Sequence, residues 1–135
     1  MTGRPSIARH ILMIGRLKRR RDFLAAAQGS KAARRAFVLE ARQRGDEDPP
    51  RFGFTVTKRT ARKAVERNRI RRRLRELARL AAADARPGHD YVLVGRRSAL
   101  TERFADLGAM LGEALRQTGD SPNSRRQDKS RSGGR

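Results

Sequence analysis

From Glu66 to Glu76 the chain reads ERNRIRRRLRE, with arginine at 67, 69, 71, 72, 73 and 75 and one asparagine at 68. A guanidinium is permanently charged and planar and can grip a phosphate through two parallel hydrogen bonds, so this spacing makes an anion-binding array. The apolar members Ile70, Leu74, Leu77 and Ala81 recur at i, i+4, i+7 and i+11, which is one face of a helix. Asn68, Arg71, Arg72, Arg75 and Arg79 then project from the opposite side. A solvated helix face usually alternates Glu and Lys for mutual support, yet no acid separates Arg67 from Arg75. Like charges four residues apart each cost a helix a few tenths of a kcal/mol, which a bound polyanion would relieve.

Groups for covalent or metal chemistry are scarce by comparison. His10 falls in an N-terminal arm and His89 in a turn, neither with a partner at ligand spacing. Asp46, Glu47 and Asp48 are adjacent acids in a proline-ended loop, the pattern of solvated loop residues more than of a magnesium cluster. No glycine-rich phosphate cradle and no Ser/His/Asp set occurs. The expectation is that the protein supplies no catalytic residue and no metal ligand, and that any reactive centre lies on a partner. With no cysteine there is no disulfide partner and no thiolate zinc site, which fits a reducing, cytoplasmic compartment.

Charge identifies the partner class. The 135 residues carry 34 Lys+Arg against 14 Asp+Glu, a net +20 that repels itself unless an anion is bound. Nucleic acid is the simplest such anion. No stretch approaches the ~20 apolar residues of a membrane span, and the basic helix lacks the aromatic face of an interfacial one, so no membrane partner is expected. The excess of arginine over lysine suits phosphate contacts and base stacking, although a GC-rich genome would give the same bias.

These side chains must be held by a small core, for which 36% hydrophobic residues suffice. Residues 1–15 read as a flexible extension, with Met13 a candidate initiator beside Met1. Asp22 is a candidate N-cap and Gly29 a stop for a short helix over Phe23 to Gln28. Alternation predicts a strand over Ala36 to Arg42, with Phe37, Leu39 and Ala41 inward, and a second over Arg51 to Thr57, with Phe52, Phe54 and Val56 sharing a face. The acidic segment 45–50 would join them as a hairpin. The basic helix follows. After a turn at 87–90, Tyr91 to Val94 is apolar on both faces and reads as a central strand. Leu100, Phe104, Leu107, Leu111 and Leu115 give a closing amphipathic helix with Thr101 as candidate N-cap. One domain over 16–118 results, followed by a basic tail at 119–135 with too little apolar content to order.

The basic run, preceded by Phe52-Gly-Phe-Thr-Val-Thr-Lys-Arg59, resembles the signature of the bacterial ribonuclease P protein component. The resemblance extends to Arg16-Leu-Lys-Arg-Arg-Arg-Asp-Phe23 and Asp90-Tyr-Val-Leu-Val-Gly-Arg96, and covers about Leu17 to Gln117. It implies an α+β, two-layer sandwich with a short N-terminal helix, a mixed sheet of about four strands, the long basic helix in a left-handed βαβ crossover, and a C-terminal amphipathic helix. It also implies a ribonucleoprotein whose RNA subunit, with magnesium, removes the 5′ leader of precursor tRNA while the protein assists. On that resemblance Arg67, Asn68, Arg69, Arg71, Arg72 and Arg75 would face the catalytic RNA and substrate, and Lys58, Arg59, Arg62 and Lys63 would extend that surface toward the leader. Phe23, Val38 and Glu40 would line a leader cleft. Glu40 and Ala27 stand where some members carry aromatics, which should weaken stacking of leader bases by ~1 to 3 kcal/mol for each lost ring. Two other classes remain open: a general or ribosome-associated RNA-binding protein, and an autonomous metal-dependent nuclease.

Overall fold

A computed structural model describes residues 15–120, with side chains through Thr118. The expected extension with His10 and Met13 and the expected tail beyond 120 lie outside the described residues. The elements in chain order are β1 (Gly15–Arg16), α1 (Arg20–Ala27), β2 (Ser30–Ala33), β3 (Phe37–Gln43), β4 (Arg51–Thr55), α2 (Ala64–Leu80), β5 (His89–Gly95) and α3 (Phe104–Asp120). Short 3-10 turns at Ala82–Asp84 and Arg97–Leu100 follow α2 and β5. The architecture is α+β, with a mixed five-stranded sheet in the order β1-β4-β5-β3-β2.

The predicted hairpin between the two alternating strands does not form. β5 lies between them, parallel to β4 and antiparallel to β3, so that Leu93 is flanked by Phe54 on one side and Leu39 on the other. The reason is hydrophobic. β5 is buried along almost its whole length, and a strand apolar on both faces is most stable in the middle of a sheet. The parallel β4–α2–β5 unit makes α2 the crossover connection.

Helix α2 buries Ile70, Leu74, Leu77 and Ala78, and α3 buries Leu107, Leu111, Ala114 and Leu115, against Phe37, Leu39, Phe52, Tyr91 and Leu93 of the sheet. That is the main core. On the other face α1 packs Phe23 and Ala26 over Leu17, Val92 and Val94. Gly53 permits this approach, because a Cβ there would sit 2.6 Å from the Phe23 ring. Both helix caps read from the sequence move. α1 starts at Arg20 after Arg19, leaving Asp22 in its first turn beside Arg51 at 3.7 Å. α3 starts at Phe104, where the Arg103 carbonyl accepts from the N–H groups of Asp106 and Leu107, while the Thr101 hydroxyl donates back to the Ser98 carbonyl at 3.4 Å.

Asp90 ties the strands together at one end. Its carboxylate is fully buried and accepts from Arg44 at 2.7 Å and from Arg51 twice at 2.8 Å. Burial alone would raise its pKa, but the hydrogen bonds from Arg51 and Arg44 outweigh it and hold the carboxyl below its ordinary value. Arg44 also donates to the carbonyls of Asp48 and Pro49. The long loop from β3 to β4 is thereby closed on β5.

Candidate nucleic-acid interface

Three rows of side chains cross the α1 face of the sheet. Arg42, Asp90 and Arg51 form one row, Glu40, Val92 and Gly53 the next, and Val38, Val94 and Thr55 the third. Helix α1 covers the middle row through Phe23 and Ala26, whereas Val38, Val94 and Thr55 stay half-buried. The result is a shallow apolar strip beside α1, with Phe23 and Val38 on it and Glu40 at its margin. Glu40 pairs with Lys31 of the edge strand at 3.7 Å. Phe23 is at once a packing residue against Leu17 and Gly53 and a half-exposed ring.

β4 ends at Thr55, at the same end of the sheet as Val38 and Val94, and the loop 56–63 starts there and leads into α2. It carries Lys58, Arg59, Arg62 and Lys63, all exposed. Helix α2 then returns along the other face of the sheet for 17 residues, about 25 Å at 1.5 Å per residue.

The arginines of α2 separate into two groups. Arg73 donates to the carbonyls of Ala99 at 2.7 Å, Leu100 at 3.2 Å and Glu102 at 2.9 Å, and its guanidinium lies 6.0 Å from the Phe104 ring. It fastens α2 to the start of α3. Arg67 donates to the carbonyls of Ala61 at 2.9 Å and Arg62 at 2.8 Å, closing the loop that precedes its own helix. Neither use was visible in the residue pattern, since a bond to a distant carbonyl leaves no periodic trace. The remaining arginines point outward. Arg71 donates to Asn68 at 3.0 Å, Arg75 lies 5.8 Å over the Phe54 ring, and Arg79 pairs with Glu76 at 3.1 Å. Arg69 and Arg72, with Lys58, Arg59 and Lys63, are exposed and have neither a hydrogen bond nor an ion pair among the described residues.

Most of the acids near this surface are engaged by other arginines, and Glu66 also feels the charge of Lys63 and Arg69. Glu66 faces Arg97 at 3.1 Å, and the hydrogen bond from Arg97 holds its carboxyl below the ordinary value. Glu102 is taken by Arg35 at 2.6 Å. Asp46 accepts from Arg44 and from the backbone N–H of Asp48, and both bonds, the first more strongly, hold its pKa down. Among the described residues no group of three His, Cys, Asp or Glu is arranged to hold a metal ion. His89 lies with Nδ1 3.0 Å from the Pro87 carbonyl and its ring stacked on Tyr91.

Exposed guanidinium and ammonium groups thus line α2 and its preceding loop, and the apolar strip lies on the opposite face of the sheet, meeting that loop at the end of β4. The family model described as ribonuclease P matches residues 14–119, which include every element of the sheet and all three helices bar the last residue of α3. The chain belongs to the ribonuclease P protein family. The ribonuclease P protein component of Caulobacter vibrioides is 49% identical over 102 residues, 74% of this chain and 68% of that protein. The ribonuclease P protein component of Gluconacetobacter diazotrophicus is 45% identical over 106 residues, 77% of this chain and 90% of that protein. Among solved structures, the RNase P protein of Thermotoga maritima superposes with a TM-score of 0.65 at 28% identity, covering 76% of this chain and 96% of that one. The Staphylococcus aureus RNase P protein gives 0.64 at 26%, covering 77% and 94%. The ribonuclease P protein family thus accounts for the sequence resemblance and for the mixed sheet with its helices. No helix among the described residues is long and apolar enough to cross a membrane.

Proposed function

We propose that this chain acts in the cytoplasm as the protein subunit of ribonuclease P, binding the catalytic RNA and the 5′ leader of precursor tRNA during magnesium-dependent removal of that leader. The observation that carries this reading is the sorting of the basic side chains. Arg73 and Arg67 donate to backbone carbonyls, while Arg69, Arg72, Lys58, Arg59 and Lys63 remain exposed with no side-chain hydrogen bond or ion pair among the described residues. A folded chain that orders cations side by side and leaves them unpaired gains from an anionic partner.

On this reading the protein contributes position and charge. Arg69, Arg71, Arg72 and Arg75, with Asn68, bridge phosphates of RNA segments that would otherwise repel one another. Arg67 acts through the loop it closes, setting where Arg62 and Lys63 stand. The strip of Val38 and Val94 beside Phe23 takes an unpaired leader nucleotide by stacking, with Lys58 and Arg59 at the same end of the sheet to meet its phosphates. Glu40 lowers leader affinity, because its carboxylate faces the same strip. Magnesium belongs on the RNA subunit and substrate, since Asp46, Glu66, Asp90 and Glu102 are each engaged by arginine.

Competition binding tests the assignment. Radiolabelled cognate ribonuclease P RNA should be retained by the protein in the presence of excess ribosomal RNA, and added precursor tRNA should bind the complex more tightly with its leader than without. Equal displacement by ribosomal RNA and indifference to the leader would favour the general RNA-binding alternative.

A further inference from the structure

A pocket of about 380 Å³ opens on the α2 side of the sheet, at the edge formed by β1 and β4. It is lined by Gly15, Arg16, Phe52, Phe54, Arg75 and Arg79. Its floor is aromatic: Phe54 stacks on Phe52 with ring centres 6.5 Å apart, and Phe52 in turn stacks on Tyr91 at 5.1 Å. Its rim is cationic, with Arg75 over the outer face of Phe54 and Arg79 one helical turn further on. Among the described residues no carboxylate lines it, and Glu76 reaches Arg79 from outside the pocket.

Two features decide what would fit. An apolar peptide side chain would satisfy the rings but leave Arg16 and Arg75 without an anion, and a bare phosphate would satisfy the guanidinium groups but not the rings. A nucleotide satisfies both, its base on the aromatic and guanidinium faces and its phosphate on the rim. The floor is also half-exposed at Phe54, although its neighbours Phe52 and Tyr91 are fully buried, so the core does not require the opening.

We infer that this pocket receives one unpaired base of the ribonuclease P RNA, stacked against Phe54 and Arg75 with Arg16 and Arg79 on its phosphates. The inference rests on the subunit reading above. The RNA subunit is the source because the pocket continues the row Arg71, Arg75 and Arg79 of α2, whereas the strip beside α1 lies on the opposite face of the sheet. The base anchors the helix at Arg75, about 10 Å along its axis from Asn68 at 1.5 Å per residue.

The chain has no tryptophan, so Phe54→Trp places a single reporter on the pocket floor. Its fluorescence should be quenched when the cognate RNA subunit is titrated in, and left unchanged by a 5′-leader oligoribonucleotide alone. Phe54→Leu should weaken binding of the RNA subunit roughly tenfold with the salt dependence unaltered, as expected for a lost stack. Arg79→Ala, an exposed position whose loss cannot disturb the core, should weaken binding and also flatten the salt dependence. Wild-type affinity in both variants, quenching by the leader instead, or a tryptophan already quenched in the free protein and released by deleting residues 1–13 would each overturn the inference while leaving the subunit reading intact. Failure of the wild-type chain to bind the RNA subunit would overturn both together.

Discussion

Arg72 and Arg73 are neighbours in sequence with opposite surroundings, and replacing each by alanine should separate binding from folding. Arg73 makes three donations to the carbonyls of Ala99, Leu100 and Glu102 and stacks near Phe104. Hydrogen bonds from a charged donor contribute ~1.5 to 3 kcal/mol each. The guanidinium is half-buried, so water replaces part of what is lost, and the three bonds share one side chain and do not add. We therefore expect Arg73→Ala to cost about 2 to 4 kcal/mol, on the order of one or two such bonds. For a domain of this size that lowers Tm by roughly 8 to 16 °C. Arg72 has no partner to lose among the described residues, so Arg72→Ala should leave unfolding within ~0.5 kcal/mol of wild type. Binding should show the reverse. The slope of log K against log salt should fall by ~0.7 to 0.9 for Arg72→Ala and stay unchanged for whatever fraction of Arg73→Ala is folded. Urea unfolding by circular dichroism and filter binding to the RNA subunit at several salt concentrations measure the two quantities. An Arg73→Ala protein as stable as wild type, or a slope lost with Arg73 and kept with Arg72, would refute the division of roles.

Further outcomes follow from the same contacts. Asp90→Asn should destabilise by ~3 to 5 kcal/mol in urea titration, because the buried carboxylate shared by Arg44 and Arg51 is lost and Arg44 keeps only the exposed Asp46. The folded pKa of Asp90 lies below its unfolded value, so its contribution is complete above about pH 4 and is lost as pH falls through the folded value; stability measured from pH 7 to 2 should drop in that acid range for wild type and lose this component in the variant. Gly53→Ala places a Cβ 2.6 Å from Phe23, so the ring must move; leader-bearing substrate should bind more weakly by up to ~1 to 3 kcal/mol, with mature tRNA unaffected in the same assay. Glu40→Gln should tighten leader binding by ~0.2 to 1 kcal/mol at low salt, since a carboxylate is removed beside phosphate and Lys31 is freed from its ion pair; equal leader affinity would place Glu40 outside the cleft.

Much of this arrangement was legible in the residues. The 3.6-residue period of Ile70, Leu74 and Leu77 located α2 and its outward arginines, and Tyr91 to Val94 declared a central strand by being apolar on both faces. What escaped was set by tertiary pairing. Ser30 to Ala33 has no strand-like composition and becomes β2 only because its backbone pairs with β3 from Ala41 to Val38. The order β4-β5-β3 escaped because sequence neighbours usually pair, and here the loop between β3 and β4 is long and is held by Arg44 on β5 instead. The caps at Asp22 and Thr101 were read from local preference, which the chain overrides by starting each helix where packing on the sheet requires it. The structural duties of Arg67 and Arg73 were hidden for a related reason. A basic run looks uniform until the fold shows which carbonyls lie within reach.

The most direct test of the proposed role is cleavage of precursor tRNA by the cognate ribonuclease P RNA at low magnesium, with and without this protein. Strong stimulation of 5′-leader removal is predicted, reduced when Arg69 and Arg72 are replaced by alanine and absent when the protein is supplied without the RNA. No stimulation by a folded wild-type protein, or leader removal by the protein alone, would contradict it.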